Sequence, residues 1–202
     1  MKAFSITGRC IAAPPPPDWR EKLAEMMGAK PRRIGIWAEL GVYGALRCMA
    51  DAGEAVLPQN ALLILASRRG TYAATDIVIE QMRDDLPMPL AFLQTQPSQL
   101  LALLAAQMSW KGYASFVAAP ELRALLSLVA AQAGDDGVLI GWVDEMNGGA
   151  TNWLRLHRCE VDEKSLTSTS SDDDIFSPEV SCLCMDGADL LVRHAGHESI
   201  GV

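Results

Sequence analysis

Residues 117–121, Val117-Ala118-Ala119-Pro120-Glu121, stand where a strand end would deliver a side chain to the start of a helix. That setting suits a nucleophile, because the positive end of a helix stabilises a thiolate. No cysteine, serine or histidine occupies it. The other chemistry-bearing groups are scattered. Cys182-x-Cys184 has strand spacing, which places both side chains on one face, and His194-x-x-His197 has helix-turn spacing. With His157 and Cys159 they bring together metal-ligating types, but the spacings match no common zinc pattern, so no metal is assigned. The carboxylates at Asp84-Asp85, Asp135-Asp136 and Asp172–Asp174 fall in turn-like contexts, where solvation explains them. A Gly-x-Ser-x-Gly elbow is missing. Gly70-Thr71 lacks the glycine-rich loop and Lys-Ser/Thr pair of a phosphate loop. These residues nominate no catalytic group and no cofactor.

Composition bounds the class. The chain has 202 residues, of which 50% are hydrophobic and 21% charged, enough for one ordinary domain with a real core. A net charge of −8 argues against a general nucleic-acid surface. Arg32-Arg33 and Arg68-Arg69 are local basic pairs, expected on solvated loops or helix ends. No apolar run reaches the ~20 residues a membrane span needs. The start lacks a long apolar stretch before Pro14–Pro17, so a cytoplasmic location is expected. Five cysteines form no even framework and fit a reducing compartment.

The elements that would position the 117–121 turn follow from periodicity. Lys2 to Cys10 suits an opening strand, and Pro14–Pro17 an extended segment. Asp18 is a plausible N-cap for a small surface helix carrying Trp19, Leu23, Met26 and Met27 up to Gly28. From Ile36 a broad apolar helical face runs through Leu40, Tyr43, Leu46, Cys48 and Met49 to Gly53, with Cys48 an inert interior thiol. Ala61 to Ser67 is a continuous apolar run, the mark of a strand covered on both faces. A helix is expected over 71–85 with Ile77, Val78, Gln81 and Met82 on successive turns. Pro97-Ser98 opens a helix apolar nearly all round, expected to be central. Tyr113 to Val117 reads as a strand, Pro120 and Glu121 suit a helix start, and Val138 to Val143 is a second doubly covered strand. Beyond Glu145 the pattern changes. Residues 152–157 alternate like an exposed-edge strand, 167–174 reads as a mobile polar loop, and 180–184 and 190–192 as short final strands.

This order resembles the N-terminal half of the β-ketoacyl synthases, which have a thiolase-like fold. The resemblance rests on Ile6-Thr7-Gly8, on Arg47 to Gly53, on Leu62 to Gly70, on Trp110-Lys111-Gly112, and on Gly134-Asp135 with Gly141-Trp142-Val143-Asp144. It implies an α/β layered half fold, a single mixed sheet with packed helices, over a single domain 1–202. Residues 1–145 are the matched core and 146–202 a divergent tail. Two departures stand out. The family's nucleophilic cysteine falls between about Val117 and Glu121 and is missing here. Ketosynthases are also roughly twice this length, and the half that carries their histidines and lysine has no counterpart in this sequence.

The resemblance therefore implies a non-catalytic, ketosynthase-like chain length factor of the kind found in aryl polyene and other type II polyketide systems. Such a chain would form a heterodimer with a full-length β-ketoacyl synthase and help shape its acyl tunnel. An acyl carrier protein would be engaged indirectly through that partner, with Arg32, Arg33, Arg68 or Arg69 at most a rim. Candidate tunnel or interface residues are Phe92, Gln94, Gln96, Trp110, Tyr113 and Phe116; the plainer reading makes them core aromatics and turn amides. Two alternatives stay open: a divergent thiolase-like acyltransferase using Cys10 or Cys48, and a stand-alone acyl-binding or interaction module.

Overall fold

A computed structural model describes residues 1–85, 88–169, 171–186 and 189–195, with only the backbone of 172 and 173. Eight strands among the described residues form one mixed sheet: β1 (Lys2–Ala12), β2 (Leu62–Ser67), β3 (Ala114–Ala118), β4 (Val138–Asp144), β5 (Ala150–Cys159), β6 (Thr167–Ser168), β7 (Val180–Asp186) and β8 (Asp189–His194). The lateral order is β3-β2-β4-β5-β1-β7-β8-β6. β3, β2 and β4 run parallel to one another, whereas the remaining neighbours are antiparallel.

Helices α1 (Trp19–Met27), α2 (Ile36–Asp51) and α5 (Pro97–Gln107) cover one face, and α6 (Arg123–Gln132) covers the other. α3 (Tyr72–Arg83) and α4 (Pro89–Gln94) lie between β2 and α5 in the chain, and α7 (Asp172–Phe176) precedes β7. β2 shows why a parallel strand must be apolar throughout. Leu63 and Leu65 enter the layer under α2 and α5, Leu62, Ile64 and Ala66 enter the layer under α6, and all six of its residues are buried.

The centre is set by α2. A methyl group added at Gly44 would overlap Thr151 Oγ1 and the Trp153 indole, and one at Gly41 would overlap Leu100. Two glycines that cost helix stability therefore let the helix sit down on β5 and α5. Trp153 is fully buried in that slot, beside Gly141 on β4, and its indole N–H donates to Thr151 Oγ1 at 3.0 Å.

Several expectations are corrected. The helix at 97–107 is not buried on most faces: only Leu100 and Leu104 are, because it lies near the β3 edge of the sheet and covers it from one side. Residues 152–157 do not form an edge strand. They belong to β5, held between β4 and β1, and the alternation arises because Arg155 is drawn inward by a carboxylate. The 167–174 segment supplies β6 and the start of α7, so among the described residues it is not a loop throughout. Asp18 stands before α1 without a side-chain cap bond, its carboxylate going instead to Lys22 at 2.9 Å. α1 is also more than a surface element, since Leu23 is fully buried.

Candidate functional site

β3 ends the sheet, and its outer edge has no strand partner among the described residues. It delivers the 117–121 turn beside the end of β2, where Ala119 N–H donates to the Ser67 carbonyl at 3.2 Å. Ala119 is buried in the layer that holds Leu122, Leu125 and Leu126, while Ala118, Pro120 and Glu121 are exposed. The regular helix begins at Arg123, so Pro120 and Glu121 precede its first turn rather than forming it. The turn holds no cysteine, serine or histidine: it presents methyl groups, a ring without an N–H and one exposed carboxylate. Ser67 is no substitute, being fully buried with its hydroxyl oxygen accepting from Gly70 N–H at 2.8 Å and Arg69 N–H at 3.3 Å.

The other nucleophile candidates are interior. Cys10 and Cys48 are buried between β1 and α2. Burial pushes the Cys10 thiol up to about 11, with Arg47 opposing, and pushes Cys48 up as well. Both are therefore neutral, unreactive thiols at neutral pH.

α3 and α4 present an apolar surface. Met82 on α3 is 65% exposed, Phe92 on α4 56% and Tyr113, just before β3, 60%. Ile77, Ile79, Met88, Leu90 and Leu93 are exposed with them. Val78, Met82, Met88, Pro89, Phe92 and Leu93 line a groove of about 410 Å³, with Gln81 at its polar margin. Within this segment Thr71 Oγ1–H donates to the Thr95 carbonyl at 2.8 Å, which links the start of α3 to the end of α4. Ala73 N–H donates to Glu145 Oε1 at 2.7 Å, which ties the start of α3 to the end of β4. Desolvation raises the Glu145 carboxyl above its usual range, against that hydrogen bond.

The six candidate lining residues separate. Phe92 lines the groove and Tyr113 is exposed beside β3. Phe116 is half-buried and meets the edge of Trp37 with ring centres 5.9 Å apart. Trp110 is buried in the core, its indole N–H donating to the Pro58 carbonyl at 2.9 Å. Gln94 and Gln96 serve turns, with amide groups bonded to the Arg33 carbonyl at 3.3 Å and to Thr95 Oγ1 at 2.9 Å. Missed by the sequence reading were Val78, Met82, Met88 and Leu93 as parts of one groove. Their helical spacing was visible, but spacing alone does not separate a face turned to a core from one turned to a partner.

A buried ion pair was also missed. Arg155, fully buried, places Nε 3.0 Å from Glu54 Oε2 and donates to the carbonyls of Asp136 and Leu156, while His157 Nε2 lies 2.9 Å from Glu54 Oε1. This network fastens the loop after α2 to β5. It assigns His157 to structure. Among the described residues no set of three or more His, Cys, Asp or Glu is arranged to hold a metal ion. His194 ends β8, and His197 lies outside the described residues.

No family model matches this sequence, and no curated protein matches it at the level of sequence. Solved structures do. A chain of the ketosynthase ApeO in complex with its chain length factor ApeC, from Xenorhabdus doucetiae, superposes with a TM-score of 0.60 at 15% identity, over 96% of this chain and 99% of that one. The chain has a thiolase-like half fold. The ishigamide ketosynthase/chain length factor shares it, with a TM-score of 0.56 at 12% identity over 78% of this chain and 58% of that chain. No helix among the described residues is long and apolar enough to cross a membrane.

Proposed function

We propose that this chain is a non-catalytic, ketosynthase-like chain length factor. It pairs with a full-length β-ketoacyl synthase, leaves the acyl chemistry to that partner, and helps shape the tunnel that holds the growing chain in aryl polyene or related type II biosynthesis. The observation that carries this reading is the superposition with a chain of a ketosynthase–chain length factor complex, in which the two chains have nearly the same extent. Two features of the surface support it. An open strand edge at β3 is a ready site for another chain, and large exposed apolar side chains on α3 and α4 are the usual mark of a partner surface. The groove holding Phe92 and Met82 is the segment that would contribute wall to a tunnel. The alanine-proline turn at 118–120 supports a subunit without its own nucleophile.

Co-expression with a cognate full-length ketosynthase tests the reading. A stable complex with one copy of each chain is expected, together with a change in product chain length when groove residues are altered. A chain that remains monomeric beside the ketosynthase, with no effect on its products, overturns it.

A further inference from the structure

α3 and α4 are helices without a core of their own. Neither has a buried residue, and neither has a side-chain bond capping its N-terminus. α3 has 12 residues and α4 has 6, lengths at which a helix in water is marginal unless packing supports it. What they expose is apolar: Ile77, Ile79 and Met82 on α3, and Leu90, Phe92 and Leu93 on α4. The hydrogen bonds that fasten them gather at their base. Thr71 Oγ1–H donates to the Thr95 carbonyl at 2.8 Å, Ala73 N–H to Glu145 Oε1 at 2.7 Å, and Gln94 Nε2–H to the Arg33 carbonyl at 3.3 Å. Farther along, Gln81 Nε2 reaches Met88 Sδ only at 3.8 Å, a weak bond to a thioether. Gly70 turns the chain into α3 at a φ of 58°, and a Cβ added there would stand 3.5 Å from the Phe116 ring of β3.

We infer that α3 and α4 form a strap that is in ready exchange with an open state in the lone chain and becomes ordered when a partner covers it. Opening uncovers no core, so little free energy opposes it, whereas α2 and β2 cannot open without exposing buried side chains. The cover is the full-length ketosynthase, so this inference rests on the pairing proposed above. Phe116 joins the base of the strap to β3, whose outer edge has no strand partner among the described residues, and one partner chain can therefore engage both. The apolar faces of the two helices then leave water together. Ordering the strap draws on the binding free energy, which makes the pairing weaker than its buried area alone implies.

Hydrogen–deuterium exchange of the full chain, read on peptides from α3, α2 and β2, tests this. In the lone chain the α3 amides should exchange within about tenfold of the unfolded-chain rate, with α2 and β2 slower by orders of magnitude. Adding the full-length ketosynthase should slow α3 at least tenfold. Asp76→Pro breaks α3 at an exposed position outside the groove. It should leave the Tm of the lone chain unchanged to within about 2 °C and weaken the complex at least tenfold. α3 amides as slow as those of α2 in the lone chain, or a clear fall in Tm for Asp76→Pro, overturn the inference. So does a complex in which α3 still exchanges fast, or protection that grows with the concentration of the lone chain, which would make a second copy the cover. Fast exchange in the lone chain with no complex formed upholds the open strap and overturns the pairing.

Discussion

At the scale of single residues, Arg155 is the costliest commitment. A guanidinium with no solvent exposure is tolerable only while Glu54 and two carbonyls satisfy it. Glu54→Ala leaves that charge buried and removes the partner of His157. A loss of about 3 kcal/mol is expected, measured by denaturant unfolding, and an unchanged midpoint would show that the network is not a structural tie. Glu145 carries a pH signature of the opposite kind. Its folded pKa lies above its unfolded one, so the folded state holds the proton more tightly. Its contribution to stability is fully present below the unfolded pKa and is lost as pH rises through the folded pKa. Glu145→Gln keeps an acceptor for Ala73 N–H without the charge. That variant should flatten this part of the stability–pH profile, as thermal melts across the acidic range will show. The turn at 117–121 gives a third test. Ala119→Cys places a thiol where Ala119 is now buried beside Leu122 and Leu126. Incubated with an acyl thioester, it should acquire no acyl adduct by intact mass, because a thiol buried among Leu122, Leu125 and Leu126 is desolvated and stays protonated.

At the scale of elements, α2 decides the packing. Its glycines are not concessions to flexibility; they are the contact surface on which Trp153 and Leu100 rest. Gly44→Ala gains helix propensity in isolation yet drives a methyl into Thr151 and Trp153. The overpacking should win by about 1–3 kcal/mol, lowering Tm. A neutral or stabilised variant would mean that β5 can move away from α2 at little cost. α5 shows the other side of the same physics. Its sequence is apolar nearly all round, and periodicity predicts a central helix, but a helix near the edge of a sheet can bury only the face turned to it. The remaining leucines, Leu101 and Leu103, stay half-buried.

At the scale of the whole molecule, the apolar surface is lopsided. It gathers on α3 and α4, which carry Tyr72, Ile77, Ile79, Met82, Leu90, Phe92 and Leu93 exposed. The end of the sheet opposite β3 is closed by β6, a two-residue strand that exposes little backbone. Met82→Asp and Phe92→Asp alter residues more than half exposed, so the isolated chain should keep its stability to within about 0.5 kcal/mol. Both should nonetheless abolish co-purification with a cognate ketosynthase. Loss of folding together with loss of binding would place these residues in the core rather than at a partner surface.

The sequence by itself determined the layered α/β class, the doubly covered strands β2 and β4, and a turn at 117–121 without cysteine, serine or histidine. These follow from short-range physics: an apolar run long enough for a strand, a proline that fixes its own φ, and an alanine that cannot be a nucleophile wherever it lies. It did not determine that residues 150–159 run through the middle of the sheet, that Arg155 turns inward to Glu54, or that Cys159 and Cys182 touch. Each depends on partners more than 20 residues away in the chain. Nor did it show that α3 buries none of its residues within this chain. A helical stripe specifies that something apolar must cover it, and only the assembled sheet decides whether this chain supplies the cover.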